Sequence, residues 1–371
     1  MKDVVDSYDS AFGVTSDVVA IDELGGEARD YPPSVVARLR SDDRASYRAV
    51  ARAINAHPAQ LLGVQHEYGL FGGSNGSWFL DLLEDLEKPV VVSLHTVLPQ
   101  PDDDHRSVAR RICERADAVV VLSQTGKDIL VREYGVDPAK LRVIHHGVPD
   151  VPFCPTDAAK ERFGLADRMV ISTFGLISRG KGLEFGIEAM QAVVARHPDA
   201  LYLILGQTHP NVRRFEGESY RTELTARIAE LGLQDNVKLV DHYLEFRELI
   251  DYLAATDIYL TPYLNPVQIV SGTLAYAVGA GKAIVSTPYL YAEELLAHGR
   301  GYLAPFRDAG AIAGALVALL DDPFLRRATE RRAYRFGRQM TWPHVARAYA
   351  RVFADVLPQA RFAAAELVRP A

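Results

Sequence analysis

The chain has 371 residues, 48% of them hydrophobic and 24% charged, with a formal net charge of −7. That length points to two domains and that composition to a globular protein, while the acidic balance argues against general nucleic-acid binding. No apolar run reaches the ~18 residues of a membrane helix, and Cys113 and Cys154 alone build neither a disulfide framework nor a metal cluster.

The opening residues Met1 to Gly13 carry neither a basic start nor an apolar run, so no secretory signal is expected and the compartment reads as cytoplasmic. Short Val- and Ile-rich runs then alternate with helical stretches. DVVAID (Asp17–Asp22), LLGVQ (Leu61–Gln65), VVVSLH (Val90–His95), AVVVLS (Ala118–Ser123) and LRVIH (Leu141–His145) read as buried parallel strands. Helices are expected between them, at Asp42–Ala56 and Ser77–Glu87. The segment GVPDVPFCP (Gly147–Pro155), with three prolines and no periodicity, reads as a linker. After it the alternation restarts with strands at Met169–Phe174, Leu201–Leu205, Val237–Val240, Ile258–Thr261, Ala283–Thr287 and Gly301–Ala304. Helices are expected at Leu183–Ala195 and Tyr220–Leu231, and again at Ala311–Leu320, Pro323–Phe336 and Trp342–Leu357. The pattern predicts an α/β protein of two Rossmann-like, doubly wound parallel-sheet domains, with a cleft between them faced by strand C-terminal ends.

Chemistry is expected at those ends. Gly175-Leu-Ile-Ser-Arg-Gly-Lys-Gly182 follows a strand and opens a helix, so its glycines allow close approach and the helix offers unpaired N–H groups to an anion. Arg179 and Lys181 add positive charge that suits a diphosphate, while Gly180 and Gly182 flank the lysine. It is not a P-loop, because Gly182 stands where Ser or Thr would follow the lysine. A second element, Ser271-Gly272-Thr273, begins a helix after IYLTPY; its serine reads as an N-cap or as part of a second phosphate site. In the first half, QHEYGLFGG places His66, Glu67, Gly72 and Gly73 beyond one strand, and His95 ends another. His145 and His146 follow a third strand, to line the cleft or to pack at the hinge. No metal site is expected: the histidines lack HExxH spacing, and Asp102-x-Asp104 lies in a polar helix start. Two arginine groups, Arg106, Arg110, Arg111 and Arg115, and Arg326 to Arg338, read as solvated helix faces, with weak peripheral membrane contact as the sharper alternative.

These segments, together with ADAVVVLSQTGKDIL, LRVIHHGV, LAATDIYLTPY, GAGKAIVST, YAEELL, GYLAPF and TWPHVARAYARVF, resemble the retaining glycosyltransferases of family 4, which have the GT-B fold. The resemblance covers most of the chain. It implies an acceptor-side domain over residues 1–150, a nucleotide-sugar domain over 151–340, and a C-terminal helix over 341–371 that crosses back to the first domain. It implies a donor of the GDP-mannose or UDP-glucose type, an acceptor that is a glycan, lipid or small molecule, and no cofactor or metal. Lys181 would then bind the diphosphate, His95 would lie near the transferred sugar, and Arg179 and the helix N-termini would share the charge. Three departures accompany the likeness. Leu176 stands where the family commonly has arginine, and Gln268 and Tyr276 replace its Glu-x7-Glu pair, so that Gln268 would meet a sugar hydroxyl, Tyr276 the ribose, and Glu293 or Glu294 would supply a carboxylate. The N-terminal domain also reads as shortened, because only Met1–Ser16 precede DVVAID. These departures leave open a relative that binds a nucleotide-sugar or glycan without turnover.

Overall fold

A computed structural model describes residues 2–22 and 30–357, so the expected crossing segment beyond Leu357 lies outside the described residues. The twelve strands among the described residues are, in chain order, β1 Val18–Asp22, β2 Val35–Arg40, β3 Leu62–His66, β4 Val90–Leu94, β5 Ala118–Val121, β6 Leu141–Val143, β7 Met169–Phe174, β8 Ala200–Leu205, β9 Val237–Val240, β10 Ile258–Thr261, β11 Ala283–Ser286 and β12 Tyr302–Leu303. The chain forms two compact units, one from the residues up to Gly147 and again from Trp342 on, the other from Val148 to Thr341.

In the first unit β3, β4, β5 and β6 lie side by side in one parallel sheet. On one face, Val91, Ala118, Val120 and Ile144 pack against Val345, Tyr349 and Val352 of the helix Trp342–Val356. The expected strand DVVAID forms as β1, but it pairs with β2 in a separate two-stranded parallel sheet. Before β1, Lys2–Phe12 is a helix, whose Tyr8 ring meets Phe353 edge-on at 5.5 Å.

The second unit holds six parallel strands in the order β12-β11-β10-β7-β8-β9. Side chains alternate across it: Ile171, Tyr202, Ile204 and Leu260 join one apolar layer, while Val170, Leu201, Leu203 and Tyr259 join the other. Both faces are therefore covered, which is why these strands read as unbroken apolar runs. The chain winds outward from β7 to β9 and then returns to β10 beside β7. That reversal is a topological switch point, where diverging loops leave a crevice at the strand C-termini. The loops leaving β7 and β10 begin at Gly175 and Pro262. At the other end of the same strands, Asp257 accepts from the Val170 amide at 2.7 Å and pairs with the Lys160 Nζ at 2.6 Å.

Candidate functional site

In the second unit the loop from Gly175 to Gly182 is held against the exit of β10. The Leu264 amide donates to the Gly180 carbonyl at 2.9 Å, and the Ile177 amide donates to the Gln207 carbonyl at 2.9 Å. Gly182 has φ +60°, and a Cβ there would lie 2.2 Å from the Pro262 carbonyl oxygen, so only glycine lets the loop close on this neighbour. The closure turns Lys181 inward. Its Nζ donates to the Tyr263 hydroxyl at 2.7 Å and lies 3.9 Å from the centre of that ring. Tyr263 Oη is 2.8 Å from Thr273 Oγ1, which is 3.1 Å from Ser271 Oγ. Ser271 also accepts from the Leu274 amide at 3.3 Å, capping the helix Gly272–Gly279. A Cβ on Gly175 would meet the Thr273 methyl at 3.3 Å and the Lys181 ammonium at 3.7 Å.

Lys181, Ser271, Thr273 and Gly175 thus converge at the switch point, with one ammonium, two hydroxyls and a close backbone: a donor set that suits phosphate oxygens. Tyr263, which joins them, was not singled out in the sequence. Its position two residues beyond β10, opposite the β7 loop, was the available signal. It is buried and stacks on Tyr289 with ring centres 5.7 Å apart.

The remaining expected residues of this unit lie differently. Arg179 extends away from Lys181 to chelate Glu223 through both terminal nitrogens at 2.7 Å, and its Nε reaches Glu216 at 3.3 Å. At the start of the helix Leu183–Arg196, the Leu183 amide donates to the Tyr220 hydroxyl at 3.1 Å, so one helix N-terminal donor is already satisfied. Gln268 donates through its amide to the Val270 carbonyl at 3.0 Å. Tyr276 is half-buried with its ring 6.4 Å from Phe174, and Glu293 is exposed in the first turn of the helix Leu290–Leu296.

In the first unit the strand ends divide by parity. In the parallel register Gln65 lies opposite Ser93 and His66 opposite Leu94. His95 follows two residues after Ser93 and extends the ladder by donating its amide to the His66 carbonyl at 3.0 Å. Gln65, Ser93 and His95 therefore share one face, and His66 points to the other. His95 Nε2 is 2.7 Å from Gln65 Oε1, and burial lowers its pKa to about 4. His66 stacks on Phe71 at 5.3 Å with Tyr68 and Phe79 around it, and neither ring nitrogen has a hydrogen-bond partner among the described residues. Burial lowers its pKa to about 4 as well, so both rings are neutral at pH 7. Glu67 ties the two strand ends together, accepting from the Tyr68 amide at 3.1 Å and the Thr96 hydroxyl at 2.7 Å. Gly72 and Gly73 pack beneath Trp78, and a Cβ on Gly72 would lie 2.1 Å from the Ser41 carbonyl. His146 bonds the Gly147 carbonyl through Nδ1 at 2.8 Å and sits beside Trp342, and burial lowers its pKa.

Neither arginine group is simply solvated. Arg106 and Arg115 donate to backbone carbonyls and Arg111 pairs with Glu84, while Arg338 binds Asp150 and the Gly279 carbonyl. Asp102 caps the helix Asp103–Arg115 and binds the His105 ring at 2.8 Å. No helix among the described residues is long and apolar enough to cross a membrane.

Comparison with known proteins agrees with this layout. Residues 11–150 match Glycosyltransferase Family 4, and residues 168–322 match Glycosyl transferases group 1. Among curated proteins, D-inositol 3-phosphate glycosyltransferase 2 of Catenulispora acidiphila is 28% identical over 72% of this chain and 66% of its own length. A GDP-mannose-dependent monoacylated alpha-(1-6)-phosphatidylinositol monomannoside mannosyltransferase of Corynebacterium glutamicum is 27% identical over 60% of this chain and 58% of its own. The chain thus spans roughly two thirds or less of the length of these two relatives. Among solved structures, sucrose-phosphate synthase from Thermosynechococcus elongatus superposes with a TM-score of 0.75 at 18% identity, over 95% of this chain and 91% of that one. A glycosyltransferase from Rickettsia africae gives 0.74 at 16% identity, over 96% and 93%. The two family matches, the curated relatives and the shared GT-B fold establish that the chain belongs to the group 1, family 4 glycosyltransferases.

Proposed function

We propose that this chain moves a hexose, with retention of configuration and without a metal ion, from a nucleoside-diphosphate sugar of the GDP-mannose or UDP-glucose type to a glycan, lipid or small-molecule acceptor in the cytoplasm. The observation that carries this reading is the Lys181–Tyr263–Thr273–Ser271 chain at the switch point of the second unit. A departing diphosphate gathers negative charge on its oxygens. A preorganised ammonium and two hydroxyls stabilise that charge most where it develops most, in the transition state. In this reading residues 151–340 take the donor, and residues 1–150 with the helix from 341 on serve the acceptor. His95, neutral at pH 7, hydrogen-bonds a hydroxyl of the transferred sugar. Retention follows from attack on the face the diphosphate leaves, the leaving oxygen helping to take the acceptor proton. The names of the relatives support nucleotide-sugar donors and, as acceptors, a phosphorylated polyol or a lipid-linked sugar.

The first experiment is a thermal-shift titration with GDP, UDP and ADP in EDTA, followed by NMR of the transfer product. One nucleotide should stabilise the protein, and the new glycosidic bond should keep the donor's anomeric configuration; an inverted product overturns retention. A second reading, binding without turnover, is favoured by the engagement of Gln268 with Val270 and of Arg179 with Glu223. Measured transfer or donor hydrolysis removes that reading.

A further inference from the structure

Gln65 shares with Ser93 and His95 a face whose remaining residues are largely apolar. The same face carries Val91 of β4 and Val120 of β5, packed with Val345 and Val352 of the helix Trp342–Val356. A half-buried amide in such surroundings is costly unless both of its ends are used. Both are. The amide nitrogen faces two hydroxyls, donating to Ser93 Oγ at 3.3 Å with Tyr349 alongside, and Ser93 Oγ is 2.8 Å from Tyr349 Oη. The amide oxygen faces His95 Nε2 at 2.7 Å. A carbonyl oxygen can only accept, so the ring nitrogen it meets must carry the proton.

We propose that Gln65 is a positioning residue that locks His95 in its Nε2–H tautomer, and that Ser93 and Tyr349 brace the Gln65 amide from the C-terminal helix. The consequence is chemical: Nδ1 becomes the acceptor nitrogen of a neutral ring held at the end of β4 by the Gln65 amide. An imidazole locked this way accepts a proton or hydrogen bond at one stated atom, which an unbraced ring does only part of the time. Among the described residues, the titratable groups whose charge reaches the ring are His66, on the opposite face, and His146 beyond β6, with Glu67 committed to Thr96 and Tyr68. The proposed catalytic use of His95 rests on the glycosyl-transfer reading above; the tautomer lock does not.

The test uses the full chain labelled with 15N-histidine, with ring signals read from two-bond nitrogen–proton correlations and His95 assigned by its loss in His95→Asn. Wild type should show His95 as Nε2–H at pH 7. Gln65→Leu should give a mixture of tautomers, and Gln65→Glu should keep Nε2 protonated while raising the ring's pKa. Finding Nδ1–H in wild type, as a reversed amide would produce, overturns the proposal, as does an unchanged tautomer in Gln65→Leu. Circular dichroism identifies a misfolded Gln65→Leu, in which case Gln65→Glu decides through the direction of the pKa change. In transfer assays Gln65→Leu should lower kcat at least about tenfold with donor KM little changed, and Gln65→Glu should move the acid limb of the pH profile upward. A lock seen by NMR in a protein that transfers no sugar would remove the transfer reading and leave the tautomer assignment standing.

Discussion

Replacing Lys181 with alanine tests the proposed donor site at the cation that the β7 loop turns inward. The ammonium has three donors, of which Tyr263 takes one at 2.7 Å, leaving two for phosphate oxygens. Hydrogen bonds to charged groups contribute about 1.5–3 kcal/mol, so Lys181→Ala should weaken binding of the stabilising nucleotide roughly 10- to 150-fold. Tyr263→Phe gives an internal scale. It keeps the ring beneath the ammonium, removes only the hydroxyl, and leaves Thr273 with Ser271 at 3.1 Å. A neutral hydrogen bond contributes about 0.5–1.5 kcal/mol, so the expected loss is roughly 2- to 12-fold. Isothermal titration calorimetry with the diphosphate at fixed ionic strength measures both, and thermal unfolding without ligand checks that each variant folds. If Lys181→Ala folds and binds with unchanged affinity, the phosphate assignment of the β7 loop is wrong. If Tyr263→Phe loses as much as Lys181→Ala, the hydroxyl meets the ligand itself rather than holding the lysine.

Other expectations bear on the fold and the chemistry. Asp257→Leu strips the partner from the buried Lys160, 4% exposed, and should cost roughly 3–5 kcal/mol in urea unfolding; a loss below about 1 kcal/mol would mean that the pair is not held as described. Transfer should persist in EDTA, and a complete loss restored by magnesium would contradict a metal-free mechanism. His66 is neutral when folded, with its pKa lowered to about 4, so its stability contribution is whole above pH 6.5 and falls away as pH drops toward 4. Between pH 8 and pH 5 that linkage costs about 2 kcal/mol, and His66→Phe, seated between Phe71 and Phe79, should flatten this part of the stability profile. An acid limb as steep in His66→Phe as in wild type would show that the ring is not the group that titrates.

The second unit was legible because its strands are covered on both faces. MVISTF and the run ending at Leu205 are continuous apolar stretches, and their observed bounds differ from expectation by a residue at most. β2, VVARLR, is hard to read for the opposite reason: it alternates, with Val36, Arg38 and Arg40 exposed, and a short turn flanks it on either side. The helix Lys2–Phe12 has no basic residue in its last turn to mark its end. Its amphipathic face finds its partner some 340 residues later, where Val4 and Tyr8 pack near Phe353. Such pairing is invisible to any local window.

The site divides along the same line. Lys181, Ser271 and Thr273 were found because a strand end followed by glycine and a helix is a local pattern, and the fold delivers all three to one place. Arg179 belongs to that same pattern, yet its direction is decided by Glu216 and Glu223, which lie on other segments. In the first unit, position along the chain singled out His66 and His95 as equivalents at two strand ends. Strand parity makes them opposites: one residue's difference in register sends His66 among Phe71 and Phe79 and keeps His95 beside Gln65. The residue that belongs with His95 is therefore Gln65, adjacent to the more conspicuous histidine and on the face that the C-terminal helix covers. A strand end names two candidate side chains, and only the register of its neighbour and the helix packed above it decide which of the two shares a face with Gln65.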